Sequence, residues 1–156
     1  MSRAFVKESA ESAPPPERMV ADGPNLVTEA GAARIDAEVA RIEAALKSET
    51  NVLLRETLER DLRYWAVKKA RVQVVAAPVG DTVAFGSRVT IERCVAPAYA
   101  RKRQSFRIVG EDEADPREGL VSWRSPLAQA ILGARAGEIV EMEKPPAEIS
   151  ILTVGA

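Results

Sequence analysis

Apolar residues recur every three to four positions between residues 28 and 75, and this period predicts amphipathic helices. The first apolar stripe comprises Ile35, Val39, Ile42 and Leu46, and the second comprises Leu54, Leu58, Leu62, Trp65 and Val72. Thr28 is a suitable N-cap for the first helix, and the polar run at residues 47–51 separates the two stripes. Because so short a connection makes successive helices antiparallel, residues 27–75 are predicted to form a helical hairpin.

Beyond a linker at residues 76–82, the apolar period changes to two, which is typical of β-strands. Five strands are predicted, near residues 83–91, 106–109, 120–123, 138–143 and 148–154. Between the third and fourth, Ser125 and Pro126 have the character of a cap and a first-turn residue, and Gly133 follows at a suitable end. Residues 83–156 are therefore expected to form a compact antiparallel sheet with one short helix.

Residues 1–26 differ from the rest of the chain in composition. Ser, Ala, Glu and Pro dominate, and the three successive prolines Pro14–Pro16 favour an extended polyproline II conformation. Such a segment offers little apolar surface to offset the entropy lost on ordering. We expect it to be a disordered tail.

Composition narrows the possible chemistry. The 156 residues contain no histidine and a single cysteine, Cys94, so the usual general base, His-paired nucleophiles and thiolate zinc sites are excluded. The formal net charge is -1, from 22 basic and 23 acidic residues, which gives no overall attraction to nucleic acid or anionic membranes. No apolar run is long enough for a membrane span or a signal peptide. These features predict a cytoplasmic protein.

Several stretches resemble one known family. Residues 106–115 read FRIVGEDEAD, residues 122–128 read SWRSPLA, residues 83–90 read VAFGSRVT, and residues 27–31 read VTEAG. The N-terminal eight residues, MSRAFVKE, add a further likeness. Taken in order, these strings resemble the bacterial GreA/GreB transcript-cleavage factors over roughly residues 27–156.

The resemblance implies an α+β fold, in which an antiparallel helical hairpin (a short coiled coil) precedes an FKBP-like β-sheet domain. In that family the C-terminal domain grips the rim of the RNA polymerase secondary channel, and the hairpin enters the channel. Nucleic acid would then be met only indirectly, within the transcription complex. The candidate polymerase-binding residues that the resemblance assigns here are Ser125, Pro126, Glu111, Asp112, Glu113 and Asp115.

The hairpin tip departs from the family pattern. Family members carry an acidic loop of the form GDLSENAEY, whose two acids help hold a catalytic Mg²⁺ for the polymerase. This chain lacks the loop, and a deficit of roughly sixteen residues shortens the hairpin by on the order of 12 Å. The remaining tip comprises Ser48, Glu49, Thr50 and Asn51, with one carboxylate. We therefore expect polymerase binding and modulation of elongation without stimulation of transcript cleavage. On this resemblance the protein is not an enzyme and has no catalytic residue, cofactor or metal site.

Two other interpretations remain open at this stage. A prolyl isomerase would need a concave pocket lined by aromatic residues, of which the C-terminal domain has only Phe85, Tyr99, Phe106 and Trp123. A general protein-binding module would share the fold without the enzymatic pocket. The basic run 101–103 is interpreted as a solvated hairpin loop in preference to a nucleic-acid site, because no aromatic residues are interleaved with it.

Overall fold

The structure, a computed structural model, describes residues 13–156 and divides them into two compact units. One unit contains the described residues 13–22 together with Ile35–Ala70, and the other contains Gly23–Arg34 together with Arg71–Ala156. Residues 1–12, which include the eight N-terminal residues of the family likeness and half of the expected tail, lie outside the described residues.

Two helices form the predicted hairpin. Helix α1 spans Glu29–Ser48 and helix α2 spans Val52–Ala70. The first apolar stripe is confirmed, because Ile35, Val39 and Ile42 are all buried. The second stripe is interrupted at its start, where Leu54 is 53% exposed. This residue lies in the first turn of α2, next to the connection between the two helices.

Two short strands lie at the two ends of the hairpin. The first begins within the predicted tail, and the second lies within the predicted second helix. Strand β1 covers Asn25–Val27 and pairs in parallel with β2, Val72–Val74. Helix α2 consequently ends at Ala70, before residue 75, which corrects the assignment of Val72 to the helical stripe. Val72 and Val74 of β2 are β-branched, which favours the extended conformation, and the backbone N–H of Asn25 donates to the carbonyl of Arg71 at 2.9 Å.

A five-stranded sheet forms the centre of the second unit. Its strands are β3 (Arg88–Val95), β4 (Ala100–Val109), β5 (Leu120–Ser122), β6 (Ile139–Glu143) and β7 (Pro146–Gly155), with the short helix α3 at Pro126–Ile131. The spatial order is β5-β4-β3-β7-β6. A helical hairpin followed by a five-stranded sheet domain with one small α-helix confirms the predicted fold class.

The sheet is mixed, which corrects the prediction of a wholly antiparallel arrangement. Strand β5 runs parallel to β4, with Arg107 beside Leu120 and Val109 beside Ser122. Between them the chain folds back through two 3-10 helices, Glu111–Glu113 and Pro116–Glu118, and through Gly119, whose φ is 66°. This compact return brings β5 alongside β4 in the same direction.

The predicted first strand of the domain is also shifted. Val83 and Phe85 are buried in the core as expected, but β3 begins only at Arg88. The chain turns at Gly86, whose φ is 87°, and the hydroxyl of Ser87 accepts the N–H of Ala84 at 3.0 Å. The alternation of apolar residues at this point therefore reflects burial on either side of a turn.

Aliphatic side chains dominate the core of the sheet domain. The largest fully buried ones include Ile91, Ile108, Ile131, Ile149 and Ile151. The sheet and α3 contribute all five. Across residues 13–156, no helix has the length and apolar character required to cross a membrane.

Candidate functional site

The hairpin tip is a tightly hydrogen-bonded turn. The side-chain oxygen of Asn51 accepts the N–H of Leu54 at 3.1 Å and so caps α2. The carboxylate of Glu49 accepts the N–H of Asn51 at 2.8 Å. The Arg55 guanidinium donates to the carbonyls of Leu46, at 2.8 Å, and of Glu49, at 2.9 Å. These bonds fix the course of the backbone between the two helices.

This tip offers little for metal binding. Among Ser48, Glu49, Thr50 and Asn51, only Glu49 carries a charge, and one of its oxygens is already held by the loop. Mg²⁺ prefers hard oxygen ligands in near-octahedral geometry, and a lone carboxylate provides little of that set. Across residues 13–156, no group of three or more His, Cys, Asp or Glu side chains is arranged to hold a metal ion.

The acidic turn and the Ser-Pro turn of the C-terminal domain lie next to each other. Both follow strands of the parallel β4–β5 pair, and the backbone N–H of Trp123 donates to the carbonyl of Val109 at 2.9 Å. Because the carboxyl ends of parallel strands point to the same edge of a sheet, the two segments that follow them emerge side by side. The unpredicted parallel pairing is thus what brings the two sequence motifs together.

An ion pair connects these two turns. The carboxylate of Glu111 pairs with the guanidinium of Arg124, whose central carbon lies 4.6 Å from the ring centroid of Trp123. Arg124 also donates to the carbonyl of Pro24 at 3.3 Å. Arg124 was not among the site residues predicted from the sequence. The only sequence feature that indicated a role for it is its charge, which is opposite to that of Glu111.

Glu113 differs from the other predicted contact residues because its side chain is turned inward and is only 8% exposed. Its carboxylate accepts the backbone N–H of Thr28 at 3.1 Å, the backbone N–H of Gly110 at 2.9 Å and the hydroxyl of Thr28. The hydroxyl of Thr28 in turn accepts the N–H of Gly31 at 3.1 Å, which confirms Thr28 as the cap of α1. Glu113 therefore stabilises the start of the hairpin and is not available as a surface contact.

Gly31 and Gly110 leave the space that this buried carboxylate occupies. A Cβ on Gly31 would lie 2.3 Å from the carboxyl carbon of Glu113, and one on Gly110 would lie 2.7 Å from the carbonyl oxygen of Leu26. The VTEAG and GEDEAD strings are thus parts of one hydrogen-bonded structure. This link could not be predicted, because nothing in the sequence distinguishes Glu113 from the acidic residues beside it.

The remaining predicted contact residues stay at or near the surface. Asp115 caps the second 3-10 helix by accepting the N–H of Arg117 at 3.0 Å, and the hydroxyl of Ser125 caps α3 by accepting the N–H of Ala128 at 3.2 Å. Pro126 is exposed, and Glu111, Asp112, Asp115 and Ser125 are partly exposed. We call Glu111, Asp112, Asp115, Ser125 and Pro126 the rim-facing surface, after the contact that the family resemblance implies for them.

Comparison with known proteins identifies the family. The family model described as "Transcription elongation factor, GreA/GreB, C-term" matches residues 77–155. GreA of Anaeromyxobacter sp. (strain K) is 31% identical over 128 residues, covering 80% of this chain and 72% of that protein. The chain belongs to the GreA/GreB family. GreA of Rhodopseudomonas palustris (strain TIE-1) is 41% identical over 80 residues, and the chain spans only 48% of that relative.

Solved structures of the GreA/GreB family are also similar to this chain. The GreA factor homolog 1 of Thermus thermophilus aligns with a TM-score of 0.41 at 18% identity, covering 85% of this chain and 99% of that one. A GreA/GreB factor from Nitrosomonas europaea aligns with a TM-score of 0.40 at 18% identity, covering 86% of this chain and all of that one (100%).

Proposed function

We propose that this GreA/GreB-family elongation factor binds RNA polymerase at the secondary channel and modulates elongation without stimulating transcript cleavage. The protein itself would not be an enzyme. The observation that carries the proposal is the hairpin tip, where a single carboxylate, Glu49, is hydrogen-bonded into the turn between α1 and α2. A factor that cannot offer a pair of acids would act by occupying the channel.

The length of the hairpin supports the same conclusion. Helix α1 has 20 residues and α2 has 19. At about 1.5 Å per residue, the helices extend for about 30 Å and 28 Å. The resemblance to full-length family hairpins implies that a tip of this kind stops on the order of 12 Å short. The single carboxylate and the short hairpin therefore support the same proposal, since a tip that does not reach the metal cannot supply a ligand.

The rim-facing surface is the proposed anchor. It combines the carboxylates of Glu111, Asp112 and Asp115 with the exposed ring of Pro126, on two turns connected by Arg124. A rigid surface of this kind loses little side-chain entropy when a partner binds. Glu113 is removed from the set assigned by the resemblance, because its carboxylate is buried against Thr28 and Gly110.

The aromatic residues favour this proposal over a prolyl isomerase. Phe85 and Phe106 are buried within the core, whereas Tyr99 is exposed at the end of a strand. An isomerase would need such rings to converge on one concave pocket. A general protein-binding module differs from the proposal only in its partner, which co-purification with RNA polymerase would identify.

The test combines binding with RNA cleavage. Purified protein is added to core RNA polymerase and to complexes halted in a backtracked state. We expect binding to both and a cleavage rate equal to that of polymerase alone. Pro126→Ala and Asp112→Asn should each weaken binding severalfold, whereas Arg135→Gln, an exposed change outside the rim-facing surface, should not.

Two outcomes would contradict the proposal. Acceleration of RNA cleavage that is lost in Glu49→Gln would show that the tip does supply a metal ligand. Equal polymerase affinity for the wild type and for both variants of the rim-facing surface would show that the anchor lies elsewhere.

A further inference from the structure

The connection between β3 and β4 concentrates positive charge. We call residues 93–103 the basic ribbon; it comprises the end of β3, the turn and the start of β4. These eleven residues contain four cations and no acidic residue, although the whole chain carries a formal charge of -1. The four cations are Arg93, Arg101, Lys102 and Arg103.

Within residues 13–156, internal carboxylates neutralise only one of these four cations. Lys102 lies directly opposite Arg93 in the β3–β4 register, so their Cβ atoms are about 4.5–5.5 Å apart. Arg103 lies opposite Glu92, but the carboxylate of Glu92 pairs with Arg101 at 3.0 Å. In the described part of the chain, Arg93, Lys102 and Arg103 form no ion pair, and the buried Nε of Arg93 meets no acceptor. Like charges placed opposite each other are destabilising unless an external anion compensates them.

The cations surround an open edge of the sheet. Strand β5 pairs with β4 only at Arg107–Val109, so β4 has no neighbour beyond β3 over residues 100–106. Side chains that alternate along β4 project on both sides of this edge. The acidic residues Glu141 and Glu148 belong to β6 and β7, which lie on the other side of β3. Positive charge is thus concentrated along the β4 edge, although the register places Glu141 and Glu148 on the same sheet face as Arg101.

An exposed aromatic ring belongs to the basic ribbon, where it lines a cavity together with Glu141 and Glu148. Tyr99 directly precedes β4 and is 71% exposed. Its φ of 50° lies in the left-handed region, which is unfavourable for a non-glycine residue. In the sequence, the absence of aromatic residues within the basic run 101–103 argued against a nucleic-acid site. The structure places this ring at the end of the strand that carries Arg101, Lys102 and Arg103.

We propose that the basic ribbon binds single-stranded nucleic acid along the β4 edge. The four cations would contact successive phosphates, and Tyr99 would stack on an unpaired base. Arg93 and Lys102 also line an open cleft of about 420 Å³, which gives the backbone a place to enter. The bases of a duplex are paired and stacked on one another, so none is free to stack on Tyr99. We therefore favour a single strand. The proposal concerns free nucleic acid and is independent of polymerase binding.

The same cations have a second physical explanation. Charged side chains on an edge strand prevent edge-to-edge aggregation. That role requires charge but neither the aromatic ring nor affinity for an oligonucleotide. The two explanations therefore predict different behaviour for the same variants.

The test measures fluorescence anisotropy of a labelled oligouridylate of about twelve nucleotides, within the range of single-strand site sizes. The full chain is titrated at several salt concentrations. The triple variant Arg101→Gln/Lys102→Gln/Arg103→Gln is compared with Arg34→Gln/Lys47→Gln/Arg135→Gln, which removes the same charge from exposed positions elsewhere. We expect the ribbon variant to lose about tenfold or more in affinity and its log–log salt slope to fall by about 2, while the control stays within about twofold of wild type.

A single change isolates the stacking contact. Tyr99→Ala should weaken binding about fivefold or more and leave the salt slope unchanged, whereas Tyr99→Phe should bind like wild type. Thermal unfolding of each variant verifies that the fold is intact.

Several results would overturn the proposal. They are the absence of saturable binding by wild type at low salt, equal losses in the two triple variants, and equal affinity for a duplex of the same length. Competition by polyglutamate as strong as that by oligouridylate would indicate a surface for acidic protein segments. Aggregation of the ribbon variant without loss of oligonucleotide affinity would assign the cations to edge protection alone.

Discussion

A buried carboxylate is costly unless every oxygen finds a donor, and Glu113 meets this requirement with two backbone N–H groups and one hydroxyl. Two of these donors belong to Thr28, the cap of α1. The negative charge therefore lies at the N-terminus of a helix, where the helix dipole favours it. One side chain thus fixes both the turn after β4 and the first turn of the hairpin.

Replacing this carboxylate should destabilise the protein. In Glu113→Gln, one carboxylate oxygen becomes an NH2 group, so either the Thr28 hydroxyl or the backbone N–H groups of Thr28 and Gly110 lose their acceptor, and the negative charge beside the start of α1 is also lost. We expect the free energy of unfolding to fall by about 2 kcal/mol or more in urea denaturation. Glu111→Gln is the matched control, since it removes a neighbouring carboxylate from a partly exposed ion pair and should cost less than about 1 kcal/mol. Equal losses in the two variants would contradict the structural role assigned to Glu113.

Glu17 provides a test at low pH. The Arg63 guanidinium donates hydrogen bonds to its carboxylate and holds the pKa of Glu17 below the ordinary value of 4.5. Because the folded-state pKa is lowered, the contact stabilises the chain above pH 4.5 and is lost as the pH falls through the lowered value. A carboxyl NMR titration should show this shift, and Arg63→Gln should return the pKa of Glu17 towards 4.5. An unchanged pKa in that variant would contradict the contact.

At the scale of elements, residues 13–22 lie against α2 without regular secondary structure. Arg18 is the main contact: its guanidinium lies 3.7 Å from the ring centroid of Tyr64 and 5.6 Å from that of Trp65, and it pairs with Asp61 at 3.4 Å. Two helices of this length are marginal by themselves. A segment that packs along one of them therefore adds support that the hairpin alone lacks.

Removing the Arg18 contact should loosen the hairpin. The cation–π contact and the exposed ion pair together contribute on the order of 1 kcal/mol. Arg18→Ala should therefore increase amide hydrogen exchange in α2 and change the fluorescence of Trp65, with Arg34→Ala as an exposed control. Exchange rates in α2 identical to those of wild type would show that this segment does not stabilise the helix.

The sequence predicted where the helices lie better than it predicted which residues and strands they pack or pair with. Periodicity located both helices and the buried positions Ile35, Val39 and Ile42, because an apolar face has only one stable place in a hairpin. It placed Val72 in the helix and gave no indication that Lys68 would be buried, with its ammonium 6.0 Å from the Tyr64 ring centroid. A long amphipathic side chain can bury its stem, and period analysis counts it as polar.

The parallel pairing of β4 and β5 could not be predicted from the sequence, for a different reason. Three residues cannot reveal their partner strand through alternation, and the direction of β5 depends on how the preceding turn folds. Family resemblance nevertheless singled out Ser125, Pro126 and the acidic run. It could not separate Glu113 from Glu111, because that distinction depends on which carboxylate meets Thr28.

At the scale of the whole molecule, the proposal assigns binding to the sheet domain and channel occupancy to the hairpin. The two units are compact by themselves, so changes at the tip should leave the anchor intact. Variants of the tip therefore offer a way to ask whether charge or reach limits cleavage. If charge alone were limiting, a second acid at the tip would restore the activity.

Asn51→Asp provides this second acid with little risk to the fold. An aspartate retains the oxygen that accepts the Leu54 N–H at 3.1 Å, so the cap of α2 is preserved. It also places a carboxylate two residues from Glu49. We expect the variant to bind polymerase like wild type and to leave RNA cleavage in backtracked complexes unstimulated at any Mg²⁺ concentration, since the proposal has the tip stop on the order of 12 Å short of the metal. A full-length family member added to the same complexes is the positive control. Cleavage by Asn51→Asp that increases with Mg²⁺ would show that reach is sufficient and that the missing charge alone keeps the wild type inactive.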